Sequence, residues 1–217
     1  MTTKKVLEKK TDHYLSLDEG RTLVHLARQA VTSYLERHEI ISLPEGSPSE
    51  LKRNAGVFVT LNTVKPTHEL RGCIGFPYPD QPLVDGTIKA AIYAATEDPR
   101  FNPVSPEELK SIAVEVTVLT PPQPLPTEDR KILPDHIRVG QHGLIVEAHG
   151  QSGLLLPQVA TEWKWDPTEF LTNCCLKAGL PPDSWLLEGT TVKVFEGEIF
   201  EEVKPAGEVR RKAIGEA

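Results

Sequence analysis

The sequence predicts an α+β fold with a mixed, largely antiparallel sheet and flanking helices. Two observations predict this class. Helical patterns and strand-like runs interleave along the 217 residues without the regular alternation of a doubly wound fold. The 19 prolines also divide the chain into many short elements. We expect one folded domain over residues 16–203, a basic, flexible N-terminal tail over 1–15 and a C-terminal tail over 204–217.

The first predicted element is a helix with a complete start signal. Ser16 and Glu19 have the spacing of a capping box, in which each side chain accepts a backbone N–H of the first turn. Apolar residues then recur every three or four positions from Leu23 to Leu35, which is the period of one buried helical face. We expect this helix to end near His38.

Two strand-like runs follow, at 56–61 and 69–75. The first is rich in β-branched and aromatic residues and reads as a strand, and a short turn segment joins it to the second, so the two predict a hairpin. Side chains alternate between the two faces of an extended strand. If the second run is extended throughout, Glu69, Arg71 and Cys73 share one face.

A second helix is predicted to begin at Pro82 and to end before Pro99, because proline fits the first turn of a helix but not its interior. A short helical turn follows at 105–108. The next strand, at 112–119, has aliphatic residues at its four even-numbered positions. Glu115 lies on the opposite face, where a carboxylate must be exposed, paired or functional.

The second half of the chain reads as short strands around one more helix. Three strands are predicted after a proline-rich connector, at 137–139, 144–148 and 154–156. Asp166 and Glu169 form another capping box and open a helix that Gly179 ends. A long final strand is predicted at 190–200.

Composition argues against several classes of function. A formal charge of −7 disfavours general nucleic-acid binding, which depends on Lys and Arg neutralising phosphates. No run approaches the roughly 20 apolar residues that span a bilayer, and no signal-peptide core precedes the first helix. Three cysteines with an adjacent pair make a poor disulfide framework, so we expect a soluble, reduced, cytoplasmic protein. No ligand spacing indicates zinc, so no metal is expected, and any cofactor is unknown.

Cys73 and Arg71 are the candidate catalytic residues. A guanidinium beside a thiol favours the thiolate, which is the reactive form of cysteine, so Cys73 is a candidate nucleophile or substrate-anchoring group. The alternative is a small, inert, buried cysteine. No histidine lies in a recognisable partner motif, and we therefore assign no Cys–His pair.

Arg100, Asp98 and Glu115 are the candidate ligand-binding residues. Arg71 and Arg100 together can bind a phosphate or a carboxylate, because guanidinium groups suit planar anions. The alternative for Arg100 is a structural ion pair with a carboxylate such as Asp98. Glu115 can pair with either arginine, and Asp98 can instead cap the turn at Pro99.

Several collinear runs carry a family resemblance. They lie, in chain order, at 56–61, 70–75, 98–101, 114–119, 153–160, 170–171 and 175–180. Together they resemble the AMMECR domain family, whose hallmark is the L-R-G-C-I-G run. The resemblance covers about residues 17–203. It implies an intracellular α+β domain of two unequal lobes with a cleft between them, and it brings no settled reaction.

Two functions of different classes follow from these residues. The first is an enzyme, or a catalytic partner in a modification pathway, centred on a cleft with Arg71 and Cys73. Genes of the family often lie near radical-SAM and Memo-type genes, which is what suggests such a pathway. The second is a non-catalytic binding or adaptor module that uses the same cleft. The expected partner is a small anionic ligand or another protein, and the oligomeric state is not indicated.

Overall fold

A computed structural model describes residues 13–42, 48–64, 68–126 and 128–213. Within them the helices are α1 Leu17–Arg37, α2 Leu83–Thr96, α3 Pro157–Glu162 and α4 Pro167–Lys177. The strands are β1 Val57–Thr63, β2 Glu69–Phe76, β3 Ile112–Leu119, β4 Gln123–Pro124, β5 His142–Ala148, β6 Gln151–Leu155, β7 Thr191–Glu202 and β8 Val209–Lys212. Short 3-10 segments lie at Ser49–Lys52, Pro106–Ser111, Arg130–His136 and Ser184–Leu186.

The described strands form one curled, antiparallel sheet in the order β2-β1-β3-β7-β5-β6. The long strand β7 is at its centre. The first half of β7 lies between β4 and β5, and its second half lies between β3 and β8. Helices pack against this sheet, so the predicted α+β class with a largely antiparallel sheet and flanking helices is confirmed.

Both helical layers cover the same face of the sheet. Two even-numbered residues of β7 lie in two hydrophobic cores of unequal size. Val192 packs in the smaller core, beneath α4, and Phe200 packs in the larger core, beneath α1 and α2. The odd-numbered Phe195 points to the opposite face, where it packs with Ile145 and Phe58 in a third, small apolar cluster. We call this side, which none of the described helices covers, the inner face. Tyr78, which follows β2, reaches Ser152 of β6 with its hydroxyl 2.6 Å from the serine oxygen.

The first helix forms as its sequence predicts. The hydroxyl of Ser16 accepts the Glu19 N–H at 3.2 Å, and the Glu19 carboxylate accepts the Ser16 N–H at 2.6 Å, so the capping box is complete. The apolar stripe that begins at Leu23 is buried in the larger core. The helix ends at His38, whose φ of 56° is left-handed.

The predicted hairpin of β1 and β2 is present, but its side chains do not alternate throughout. Leu61 pairs with Gly72 and Asn62 pairs with Leu70, so Arg71 is an extra residue without a partner on β1. Such a bulge changes the face on which the following side chains lie. The prediction that Arg71 shares a face with Cys73 is therefore wrong, because it assumed an unbroken pleat.

The segment after the proline-rich connector differs from its prediction. Residues 137–139 are not a strand. The 3-10 segment before them ends at Ile137, whose N–H donates to the Pro134 carbonyl at 3.1 Å. The side chain of Ile137 packs in the smaller core. The hairpin of β5 and β6 is present. It turns at His149 and Gly150, whose φ values of 52° and 76° are those of a two-residue hairpin turn.

The two predicted tails contain ordered structure near the domain. Strand β8 lies within the expected C-terminal tail, with Val209 buried and its backbone paired to β7. The segment expected as a tail thus includes a strand, in which Arg210, Arg211 and Lys212 each pair with a glutamate. In the N-terminal tail, Tyr14 and Leu15 donate their N–H groups to the Glu198 carboxylate, while residues 1–12 lie outside the described chain.

Candidate functional site

The backbone of Cys73 is held from outside the sheet. Among the described strands, β2 is at the end of the sheet, so one of its edges has no neighbour in this part of the chain. The Cys73 N–H donates to Asp98 at 2.8 Å, and the Arg100 guanidinium donates to the Cys73 carbonyl at 3.4 Å. Arg100 also donates two hydrogen bonds to Asp98, at 2.7 and 2.9 Å. This ion pair closes the edge of β2 at Cys73, which is a common way to protect an exposed strand.

Asp98 is the buried partner of that ion pair. It is 4% exposed, whereas the Arg100 side chain is 54% exposed. The hydrogen bonds from Arg100 hold the pKa of the Asp98 carboxyl well below its usual range, against the effect of burial. The same contact raises the pKa of Arg100. The carboxylate is therefore charged and fully engaged at neutral pH.

Arg71 points to a different part of the molecule. Its guanidinium donates to both oxygens of Glu108, at 2.8 and 3.2 Å, and to the Asn102 carbonyl at 2.9 Å. This contact lowers the pKa of Glu108. Glu108 is also the capping residue of its 3-10 segment, with Ser105 as the N-cap. Arg71 thus ties the bulge of β2 to the loop after α2, and the thiol of Cys73 lies on the inner face.

The glycines of the hallmark run allow close packing. A Cβ atom on Gly72 would lie 2.0 Å from the Ala94 carbonyl oxygen of α2, and a Cβ atom on Gly75 would lie 2.2 Å from the Phe58 ring. Neither position has room for a side chain. These two residues are explained by the contact of β2 with α2 and with the inner face, without any ligand.

Five polar side chains form a row across the inner face. Cys73 pairs with Thr60, Thr60 with Glu115, Glu115 with Glu201, and Glu201 with Arg210, on five adjacent strands. Residues that are directly opposite in an antiparallel sheet share a face and touch their neighbours. We call these five residues the polar row.

The charges of the polar row are linked by a lysine. Lys212 of β8 places its ammonium 3.3 Å from a carboxylate oxygen of Glu115 and 3.3 Å from one of Glu201. Burial raises the pKa of Glu115, although Lys212 acts in the opposite direction. Burial alone would lower the pKa of Lys212, but Glu115 and Glu201 outweigh it and the pKa is raised. Arg210 donates to Glu201 at 2.7 and 2.9 Å.

A cavity of about 570 Å³ opens above four residues of the polar row, Thr60, Glu115, Glu201 and Arg210. We call it the polar pocket. Its lining includes Thr60, Asn62, Ala113, Glu115, Glu201 and Lys212. The lining combines hydroxyl, amide, carboxylate and ammonium groups with small apolar side chains, and most of it projects from strands. A few convergent polar groups on rigid elements are typical of a small-molecule site.

The thiol of Cys73 lies at the end of the polar row, where the Thr60 hydroxyl donates to the sulfur at 3.3 Å. Burial raises the pKa of the Cys73 thiol, and this effect exceeds that of the Thr60 hydrogen bond and the Arg100 charge, which both lower it. The thiol is therefore less ionised than a free cysteine at neutral pH. Cys174 and Cys175 are buried in the smaller core, and all three are free thiols.

The predicted site residues fall into two groups. Cys73 and Glu115 belong to the polar row, Asp98 and Arg100 hold the backbone of Cys73, and Arg71 is directed elsewhere. Thr60, Glu201 and Lys212 are members of the site that the sequence did not suggest. For Thr60 a signal existed, because it lies at an alternating position of a predicted strand. For Glu201 and Lys212 no signal existed, because Glu201 follows the last residue of the predicted final strand and Lys212 lies in the predicted tail.

Two kinds of feature are absent from the part of the chain that the structure describes. There, no three His, Cys, Asp or Glu side chains are grouped so as to hold a metal ion. Among the same residues, no helix has the length and apolar character needed to cross a membrane.

Comparison with known proteins gives the family of this chain. The AMMECR1 family model matches residues 24–200. A protein of Thermococcus gammatolerans is 57% identical over 199 residues, which cover 90% of this chain and 96% of that protein. A protein of Methanothermobacter thermautotrophicus is 55% identical over 188 residues, which cover 87% of this chain and 96% of that protein.

The fold is also found in a solved structure. The crystal structure of the uncharacterized protein PH0010 from Pyrococcus horikoshii matches with a TM-score of 0.81 and 51% identity, covering 93% of this chain and 100% of that one. No reaction is established by any of these matches. The family itself is clear, because the model and the relatives each cover most of the chain. The chain belongs to the AMMECR1 family.

Proposed function

We propose that this protein is a binding module that takes up a small polar molecule in the polar pocket. One observation carries the proposal. The polar row crosses five adjacent strands, and four of its members, Thr60, Glu115, Glu201 and Arg210, line a cavity of about 570 Å³ on the inner face of the sheet. The side chains are held in position before a ligand arrives, so little conformational entropy is lost on binding.

The contacts of the arginines support binding over thiol chemistry. Arg71 and Arg100, the groups expected to activate a thiol or hold an anion, are engaged by Glu108 and Asp98. The pKa of Cys73 is raised, which reduces the nucleophilic thiolate at neutral pH. In this proposal Glu115 contacts the ligand, and the Asp98 and Arg100 pair fixes the strand that carries Cys73. Free thiols agree with a reduced, cytoplasmic setting, which is part of the proposal.

A thiol enzyme centred on Cys73 is the second candidate. The observation that favours it is the hydrogen bond from the Thr60 hydroxyl to the sulfur, which stabilises a thiolate. Glu115 of β3, whose pKa is raised, would serve as its acid or base from the far side of Thr60, since β1 lies between β2 and β3. Asp98, Arg100 and Arg71 would then act by holding β2 in place.

The test is a ligand screen by NMR on ¹⁵N-labelled protein, with a panel of amino acids, short carboxylates, amines and neutral polyols. We expect at least one of these compounds to shift the amide signals of Thr60, Ala113 and Glu115, and Glu115→Gln to remove the shifts. Glu147→Gln is the matched control, because Glu147 pairs with Lys193 at 2.7 Å outside the polar pocket. If no compound shifts the signals of the pocket, the binding proposal fails.

A further inference from the structure

We infer that the polar pocket recognises a zwitterionic group whose two charges lie side by side, as in an α-amino acid. The inference rests on the proposed function, since it names the class of ligand for the same pocket. It is drawn from the way in which the charges of the pocket are paired, from the distance between two of them, and from the apolar part of the lining.

The charges at the floor of the pocket balance one another. Glu115 pairs with Lys212, and Glu201 pairs with both Lys212 and Arg210. The side chains of Glu115, Glu201 and Lys212 are only 15, 10 and 12% exposed. A ligand with a single charge would add an uncompensated charge to this half-buried site, which is costly. A zwitterion adds no net charge and can satisfy groups of both signs.

The geometry requires the two charges of the ligand to be close together. The Lys212 ammonium and the Glu115 carboxylate are 3.3 Å apart. A ligand whose ammonium faces Glu115 and whose carboxylate faces Lys212 must therefore carry these groups as neighbours. Among the described residues, only Lys212 donates to the Glu115 carboxylate, and it uses one of the two oxygens. The other oxygen is the acceptor that we assign to the ligand's ammonium group.

The rest of the lining sets the size and character of the ligand's side chain. Small apolar groups from Val64, Ala113 and Val203 form one part of the cavity, with the Asn62 amide and the Thr60 hydroxyl close by. A short aliphatic side chain fits these groups, because it buries methyl surface and leaves the polar atoms to the ligand's head group.

The experiment uses three probes that differ by one charged group. 2-Aminobutyrate is the zwitterion, propylamine lacks its carboxylate, and butyrate lacks its amine. Each is titrated into the ¹⁵N-labelled full-length protein, and dissociation constants are taken from the amide shifts of Thr60, Ala113 and Glu115. We expect the zwitterion to bind roughly tenfold or more tightly than either single ion, the effect of one additional charge-assisted hydrogen bond.

Variants identify the groups involved. We expect Glu115→Gln and Lys212→Met each to raise the dissociation constant for 2-aminobutyrate by roughly tenfold or more. The control variants Glu147→Gln and Lys193→Met remove a similar cross-strand pair outside the pocket and leave the affinity unchanged. The amide spectra of all four variants show whether each one is folded.

The outcomes separate the two proposals. If butyrate or propylamine binds as tightly as the zwitterion, the inference is wrong and the pocket remains a binding site for another class. If the control variants weaken binding as much as the pocket variants, the ligand binds elsewhere and the inference also fails. If none of the three probes shifts the pocket while other compounds of the panel do, the inference fails alone. If nothing in the panel shifts it, the proposed function fails as well.

Discussion

Cys73 has two separate roles at the scale of single residues. Its backbone is bound by Asp98 and Arg100 at the edge of the sheet, and its side chain contacts Thr60 at the end of the polar row. The hallmark run is therefore required for packing whatever the thiol does. Only the side chain of Cys73 remains available for function, and its environment makes it a weak acid.

The first prediction concerns the reactivity of Cys73. At pH 7.5 we expect iodoacetamide to label Cys73 more slowly than a free cysteine peptide, because burial raises the thiol pKa. Thr60→Val should slow labelling further, since the hydrogen bond that lowers this pKa is lost. Arg71→Gln should not slow it. Peptide mass spectrometry after timed labelling gives the rate at each cysteine.

The result that contradicts this prediction is a fast Cys73 that Arg71→Gln slows more than Thr60→Val does. That outcome would show that Arg71 activates the Cys73 thiol. Cys174 is the internal reference for a protected thiol, because burial raises its pKa to about 12. It should label only when the protein unfolds.

The second prediction concerns Asp98 and pH. Asp98→Asn should lower the free energy of unfolding by about 2 kcal/mol at pH 7, as expected for hydrogen bonds to a charged group. The folded pKa of Asp98 is depressed, so its stabilisation is complete above the unfolded pKa of about 3.9 and is lost as pH falls towards the folded value. The difference between the two proteins should therefore shrink below about pH 4. Urea unfolding at several pH values measures it.

A surface carboxylate provides the control for that experiment. Asp18 pairs with Arg21 at 2.9 Å on α1, but its side chain is 88% exposed. Asp18→Asn should change stability very little at any pH, because exposed ion pairs are screened by water. An Asp98→Asn penalty that stays constant or grows in acid would show that the ion pair at the edge of β2 is not its source.

At the scale of elements, the parts that the sequence predicts are those with a local signal. The capping box of α1, the hairpin of β1 and β2 and the start of α4 all depend on neighbouring residues, and each forms as predicted. The bulge at Arg71 has no such signal. It results from the contact of Arg71 with Glu108, 37 residues further along the chain, and from the close approach of Gly72 to α2.

In the candidate site, too, the sequence identifies only those residues that have a local signal. Glu115 could be identified because it is a carboxylate on the less apolar face of a predicted strand, and Cys73 because of its flanking glycines and Arg71. Lys212 could not, since a short charged run after the last long strand is typical of a solvated tail. Its role depends on Glu115 and Glu201, which are brought to it by sheet pairing. Long-range pairing of this kind cannot be inferred from the composition of a segment.

The third prediction concerns the packing of β2 against α2. Gly72→Ala should destabilise the protein by about 3 kcal/mol, at the upper end for overpacking, because the added methyl group would meet the backbone oxygen of Ala94. The measurement is the midpoint of thermal unfolding. Gly197→Ala is the matched control in the same sheet, where the nearest atom would be a Thr117 methyl at 3.3 Å. Equal effects of the two variants would contradict the proposed contact.

At the scale of the whole molecule, β7 joins the two cores. Val192 is part of the smaller core and Phe200 of the larger one, and both lie on the same strand. The small apolar cluster of the inner face adds contacts between the two halves of the sheet. Neither core can lose its strands without exposing part of the other, so we expect the protein to unfold as one unit.

The fourth prediction tests this coupling. Trp163, Trp165 and Trp185 all lie in the half of the molecule with the smaller core, whereas α1 and α2 lie in the other half. Tryptophan fluorescence should therefore report the half with the smaller core, and far-UV circular dichroism, in which α1 and α2 supply most of the helical signal, should report mainly the other half, but both should show the same transition. Phe170→Ala in the smaller core and Leu23→Ala in the larger one should each lower that single midpoint, at a cost of about 3 kcal/mol. Two separate transitions in either variant would disprove the coupling.

The closure of β2 by a carboxylate has a consequence for self-association. A sheet edge covered by a helix or a loop would need an entire segment to detach before the sheet could be extended. Here one proton on Asp98 is sufficient to weaken the block, because the carboxylate accepts the Cys73 N–H and holds Arg100. Strong acid would then turn this rim into a template for a second chain, and fibre formation rather than simple loss of structure would be the characteristic response.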